Sequence, residues 1–243
     1  LFTSDNGPWA SKGKAGGVPG PLRGSKGCTL EGGVREPTIA WWPGTIAPGT
    51  ESAGIAGTTD VLPTFVSLAG GKVKKNIKID GVDVSKWMIG KTETSPRNTW
   101  HYFRGTRLEA VRQGPWKLAI TGQSLGMGIR QRDADLAKGG RLYNLEKEIG
   151  EKTNLATENP NIVKKLEEMA AQISEDIAAN KRPAGTVQNP VTLSPSTGRK
   201  RPTKKPTKPA KPINWNKAKL GDTFTSASLP DVAGKAFSIQ ATV

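Results

Sequence analysis

Periodic patterning of apolar and polar positions is concentrated in a few stretches of the 243-residue chain. From Asn161 to Asn180, the residues Ile162, Leu166, Met169, Ile173 and Ile177 step by four, three, four and four. That spacing predicts an amphipathic helix whose stripe is core packing, begun at Asn159-Pro160 and followed by polar Asn180-Lys181-Arg182-Pro183. Asp60 to Ala69 places Val61, Leu62, Phe65, Val66, Leu68 and Ala69 at helical spacing. Thr58, Thr59 or Asp60 supplies its N-cap and Gly70-Gly71 its stop. Short strands are expected at Trp100–Phe103, Leu108–Arg112, Trp116–Ile120 and Arg141–Leu145. Gln113-Gly114-Pro115 joins the middle two as a hairpin. Pro37–Trp42 reads as a short buried strand, and Leu1-Phe2 as the last residues of another. The C-terminal run Ala236–Val243 alternates like a half-buried strand and then stops, so the chain is expected to be cut at both ends.

Composition narrows the class. With 29 Gly, 18 Pro and 35% hydrophobic residues, the chain suits a loop-rich α/β or all-β protein rather than a helical bundle. No apolar run reaches the ~18 residues of a membrane span. The single cysteine, Cys28, excludes an internal disulfide framework and a thiolate zinc site. The formal charge is +15, but residues 199–219 hold nine Lys or Arg and no acid, interleaved with prolines. Proline blocks helix and like charges repel, so this stretch is expected to be an extended linker.

Two clusters could carry chemistry. Ser4-Asp5-Asn6-Gly7 follows a short apolar run, which puts a carboxylate and an amide carbonyl at a sheet edge. Their oxygens are hard donors suited to Ca²⁺ or Mg²⁺, although an Asx-turn closing a strand explains the same residues. In the stretch from Gly20 to Gly33, five glycines surround Lys26. Backbone can approach a ligand closely there, and the ammonium can bind an oxyanion; a flexible basic loop is the alternative. His101, the sole histidine, is read as a strand residue satisfied by its neighbours rather than a catalytic acid. Asp80 and Asp83 are assigned to turn and helix-cap roles. Arg23, Glu31 and Arg35 are either neighbours of an active site or an ion-pair network stiffening the loop.

Several motifs occur in order: Phe2-Thr-Ser-Asp-Asn-Gly-Pro8, Leu22-Arg-Gly-Ser-Lys-Gly27, Glu31-Gly-Gly-Val-Arg35 and Ile39-Ala-Trp-Trp-Pro-Gly44. Asp60-Val-Leu-Pro-Thr-Phe65, Val111-Arg-Gln-Gly-Pro-Trp-Lys-Leu118 and Leu142-Tyr-Asn-Leu145 follow. Over residues 1 to 190 this resembles the C-terminal half of a formylglycine-dependent sulfatase, of the arylsulfatase and N-acetylgalactosamine-6-sulfatase type. The resemblance implies an α/β, alkaline-phosphatase-like domain with a small antiparallel sheet-plus-helix subdomain. It also implies sulfate-ester hydrolysis through a formylglycine hydrate, with Asp5 and Asn6 ligating Ca²⁺ and Lys26 contacting the sulfate oxygens. The family's Cys-x-Pro-Ser-Arg motif, whose Cys becomes formylglycine, does not occur in these residues. Cys28, in Gly-Cys-Thr-Leu, is not that nucleophile, and Cys28 and Glu36 both depart from the family's usual residues. The expectation is that this polypeptide alone is inactive, holding two metal ligands and one sulfate contact.

The expected organisation is catalytic α/β domain over 1–95, sheet-plus-helix subdomain over 96–190, basic Pro-rich linker over 191–213, and the start of a laminin-G-like β domain over 214–243. The leading function is a sulfatase acting on sulfated carbohydrates or aryl sulfates, secreted or periplasmic as a whole protein. The alternatives are a polyanion-binding protein gripping nucleic acid or glycan through 199–219, and a non-catalytic Ca²⁺- or sugar-binding fragment. Nucleic acid is disfavoured, because no aromatic side chain interleaves the basic stretch before Trp215.

Overall fold

A computed structural model of the chain describes residues 1–181 apart from 75, 77 and 131–134. The basic linker and the C-terminal β segment expected from the sequence lie outside the described residues. The elements run β1 (Phe2–Thr3), α1 (Glu31–Val34), β2 (Thr38–Ile39), α2 (Val61–Leu68), α3 (Ser85–Met88), β3 (Thr99–Arg104), β4 (Arg107–Gln113), β5 (Trp116–Ala119), β6 (Arg141–Asn144) and α4 (Pro160–Asn180).

Strands β3 to β6 form an antiparallel meander in chain order. Its first two connections are two-residue turns. Gly105-Thr106 links the pair Arg104–Arg107, and Gly114-Pro115 links Gln113–Trp116. Both begin with a glycine at positive φ, 60° and 54°, the conformation such a tight turn needs and a side chain resists. Helix α4 covers one face of the meander. Leu166 and Ala170 pack on Val111, Leu118 and Leu142, one apolar residue from each of three neighbouring strands. Each such buried Leu or Val side chain contributes about 1.5–3 kcal/mol. The four strands and the long helix agree with the sequence pattern within a residue or two.

The opposite face of the meander carries Tyr102, Ala110, Arg112, Lys117, Ala119, Arg141 and Tyr143 by strand alternation. Such a polar face ordinarily meets water. Here Tyr102, Lys117, Arg141 and Tyr143 are all buried, because residues 23–35 and the turn around Glu151 lie against them. A bulge between Tyr102 and Phe103 leaves Glu109 without a partner in the β3–β4 register. The bulge turns the Glu109 carboxylate onto Thr29, whose hydroxyl donates to it at 2.7 Å.

The N-terminal part departs from expectation in burial. Strand β1 pairs only with β2, Phe2 against Ile39 and Thr3 against Thr38. Leu1, Phe2, Ile39, Trp41 and Trp42 were expected in buried strands; all are exposed, Trp41 to 80%. The reason is architectural: among the described residues this two-stranded ribbon has no further strand beside it. Both described sheets are antiparallel, so Asp5-Asn6 leaves a ribbon rather than the edge of a parallel sheet. Helix α2 forms as expected, and the Asp60 carboxylate accepts the Gly57 N–H at its start. Yet α2 buries Pro63 and Thr64 and exposes Leu62 and Phe65, so its apolar stripe is not its packed face.

Candidate active site

The site begins with a pinned pair of loops. Leaving β1, the chain turns so that the Gly7 N–H donates to Gly33 O at 3.1 Å. One residue later, Pro8 O accepts the Lys26 N–H at 3.0 Å. The Lys26 carbonyl in turn accepts the Met127 N–H at 2.7 Å. Close approach explains the glycines. A Cβ at Gly7 would lie 2.1 Å from Gly32 O, and one at Gly32 would lie 2.6 Å from Arg23 O. Two backbones in contact thus bring residues 5 and 26, far apart in sequence, to one place.

Asp5, Asn6 and Lys26 line a single open cavity of about 430 Å³, together with Ser4, Trp9, Lys12 and Glu36 among others. Asp5 and Trp9 are exposed, whereas Asn6, Lys26 and Glu36 are half-buried. Burial, and then the charge on Asp5, push the Glu36 carboxyl above its ordinary value. Its Oε1 is buried and has no hydrogen-bond partner among the described residues. The Lys26 ammonium sits 4.9 Å from the centre of the Trp9 ring, and Lys12 lies at the same distance. Among the described residues, no group of three or more His, Cys, Asp or Glu side chains is arranged to hold a metal ion. Asp5 and Asn6 are therefore at most part of a ligand set.

The other half of the same loop faces inward, where Glu31 is buried. Glu31 Oε1 accepts from Lys117 Nζ at 2.9 Å and from the Tyr102 hydroxyl at 2.8 Å, and its Oε2 lies 3.6 Å from Arg112. Lys117 also reaches Glu151 at 2.8 Å and donates to Thr29 O at 2.8 Å. Glu151 Oε2 accepts the Glu31 backbone N–H at 2.6 Å, and Glu151 itself adopts a positive φ of 51°. Burial raises both carboxyls. At Glu31 the charge and hydrogen bond of Lys117, helped by Arg112 and Tyr102, outweigh it and leave a net lowering. At Glu151 burial prevails over Lys117 and the net shift is upward. Lys117 is held charged well above its usual range: burial opposes the charge, and Glu151 and Glu31 overcome that opposition.

Of the two readings of Arg23, Glu31 and Arg35, the ion-pair network describes Glu31. Arg35 stands 4.0 Å from Glu31 near the surface, and Arg23 donates to Glu151 O at 2.7 Å. Cys28 is buried against Leu30 and Leu136, and burial raises its thiol pKa, which suits packing rather than chemistry. His101 lies half-buried on β3, its pKa lowered by burial and then by Arg97. Asp83 accepts the Ser85 N–H at 2.9 Å in a turn just before α3, whose N-cap is Val84, and the Asp80 carbonyl accepts from Arg97 at 2.8 Å. Sequence reasoning missed Trp9, Lys12, Lys117 and Glu151. For Trp9 and Lys12 the available signal was an aromatic and a lysine inserted between the two motifs. For Lys117 the available signal was its place in the Val111–Leu118 motif, while alternation alone assigns it to the unpacked face.

Residues 1–71 match the Sulfatase family model. Over 194 residues the chain is 39% identical to bovine (Bos taurus) arylsulfatase A, covering 71% of this chain and 37% of that protein. The chain carries a sulfatase-family segment. Mouse (Mus musculus) N-acetylgalactosamine-6-sulfatase is 44% identical over 118 residues, 48% of this chain and 22% of that protein. Among solved structures, a sulfatase from Pseudoalteromonas sp. superposes with a TM-score of 0.60 at 26% identity, covering 73% of this chain and 36% of its own. The protein Ps i-CgsB, solved in complex with k-i-k-neocarrahexaose, gives 0.57 at 27% identity, over 72% of this chain and 36% of its own. The sulfatase segment thus spans less than half the length of these relatives. Its small sheets and helices are part of an α/β sulfatase fold.

Proposed function

We propose that this segment forms the calcium- and sulfate-binding wall of a sulfate-ester hydrolase active site. Asp5 and Asn6 hold Ca²⁺, and Lys26 binds the sulfate oxygens. The observation that supports this is the lining of one cavity by all three residues, brought together by the Gly7–Gly33 and Pro8–Lys26 backbone bonds. The residues suit a hard cation. The Asp5 carboxylate and Asn6 amide are oxygen donors, and the unpartnered Glu36 Oε1 offers a further oxygen at the same wall. When bound, the ion supplies positive charge to the sulfuryl oxygens. The Lys26 ammonium neutralises the same oxygens as charge develops on them, and the Lys26 N–H···O=C bond to Pro8 fixes where its stem begins. Hydrolysis cleaves the ester to an alcohol and sulfate. The nucleophile is a formylglycine outside these residues, so the chain alone is inactive.

The substrate class is a sulfated carbohydrate or aryl sulfate. Support comes from the relatives named above, one of them solved with an oligosaccharide. A charged glycan substrate favours a secreted or periplasmic protein; among the described residues no helix is long and apolar enough to cross a membrane. The test is aryl-sulfate hydrolysis by a protein that joins this chain to a formylglycine-bearing segment. Lys26→Ala is expected to lower kcat/KM by about a hundredfold or more, and calcium chelation to abolish turnover. Undiminished activity in Lys26→Ala overturns the reading.

A further inference from the structure

We infer that Trp9 and Lys12 form a second anion subsite beside Lys26, one that selects sugars bearing a second sulfate. This rests on the sulfate-binding reading of Lys26 and extends it to the substrate. Lys12 and Lys26 each place an ammonium 4.9 Å from the centre of the Trp9 ring, so the two charges lie no farther apart than twice that distance. That range spans two substituents on one sugar ring or on neighbouring rings. Neither ammonium has an acidic partner within salt-bridge distance among the described residues. Both therefore keep their donors for a ligand, unlike Lys117 below them.

The geometry is built rather than incidental. Residues 10–16 form two short 3₁₀ turns that meet at a kink at Gly13; the Trp9 N–H donates to Gly16 O at 2.8 Å and the Lys12 N–H to Trp9 O at 2.9 Å. These bonds hold the Lys12 backbone against Trp9, and both residues line the cavity that contains Asp5, Asn6 and Lys26. Trp9 is 40% exposed as a residue, and an indole presented to the cavity can meet the apolar C–H face of a pyranose. With Lys26 engaged by one sulfate, Lys12 has charge and reach for another. Its ammonium is a compact point charge that accepts a sulfate from several directions.

The test is calorimetric titration of the 243-residue chain, in calcium-containing buffer, with galactose 6-sulfate, galactose 2,6-disulfate and inorganic sulfate. The wild-type chain is expected to bind the disulfate about tenfold more tightly than the monosulfate, a difference of about 1.4 kcal/mol. Lys12→Ala is expected to bring that ratio down to about two or below. Trp9→Ala is expected to weaken both sugars severalfold relative to inorganic sulfate. A wild-type chain that binds both sugars alike, or a ratio that survives Lys12→Ala, overturns the second subsite while leaving Lys26 in its role. Monosulfate binding that is absent, or indifferent to Lys26→Ala, overturns the underlying reading and the subsite with it.

Discussion

Lys117 and Lys26 belong to the same compact unit, and their surroundings differ in almost every respect. Lys117 is fully enclosed and meets two carboxylates and a backbone carbonyl at 2.8 to 2.9 Å. Lys26 is half-buried in an open cavity, with an indole beside it and, among the described residues, no acid within salt-bridge distance. Both contact the loop that runs from Arg23 to Arg35: one holds its inner side, and the other is carried on its outer side. A buried charge whose donors are all consumed can fix a backbone but has nothing left for a ligand. An open charge contributes little to the fold and remains available. On the proposed reading, mechanical support and binding are divided between two lysines that meet the same loop.

That division can be broken from either side. The largest effect is expected from Lys117→Met, which takes the bridging cation from Glu151 and leaves Glu31 to the more distant Arg112 and Arg35. It should cost about 3–5 kcal/mol in denaturant unfolding, and it should weaken sulfate binding as residues 23–35 lose their anchor. Stability retained within 1 kcal/mol, as an order-of-magnitude threshold, would show that the enclosed cluster does not hold the loop. Next in size is Gly7→Ala. Its Cβ falls on Gly32 O, and relief of that overlap should cost about 1–3 kcal/mol while separating Asp5 from Lys26. Calcium affinity and unfolding free energy should therefore fall together in this variant.

Lys26→Ala sharpens the contrast. Its unfolding free energy should change by no more than about 0.5 kcal/mol, while binding of inorganic sulfate is lost. A large stability loss would mean that Lys26 belongs to the supporting layer after all. The smallest effect concerns His101, a half-buried group between the two extremes. Its folded pKa lies below the ordinary 6.5, through burial and then Arg97. The unfolded chain therefore takes up the proton first, and the contribution of His101 is intact above 6.5 and declines as pH falls through that value. The thermal midpoint of wild type should drop on mild acidification by more than that of His101→Gln, and parallel curves would contradict this.

Legibility in the sequence followed locality. Helix α4 was readable because its contacts repeat every three to four residues, and the β4–β5 hairpin because Gly114-Pro115 fits a two-residue turn. The motif residues Asp5, Asn6 and Lys26 stood out by type and by resemblance. Burial was misread at Phe2, Ile39 and Trp41, since apolar character alone does not say whether a partner layer lies over a strand. The α2 stripe failed for a related reason: Pro63 and Thr64 are enclosed by their neighbours' arrangement rather than by their own hydrophobicity.

The amino-acid order by itself determined the meander, its turns and the covering helix, because backbone preference and side-chain period act over a few bonds. It also determined which residue types were on hand for an anionic ligand. Tertiary structure alone decided that Lys117, at a strand position of water-facing parity, is sealed between Glu31 and Glu151. It alone brought Lys12, Trp9 and Lys26 into one cavity with Asp5 and Glu36. Both outcomes depend on charges and backbones meeting across long stretches of chain, at glycines small enough to allow it, and no local pattern encodes that meeting.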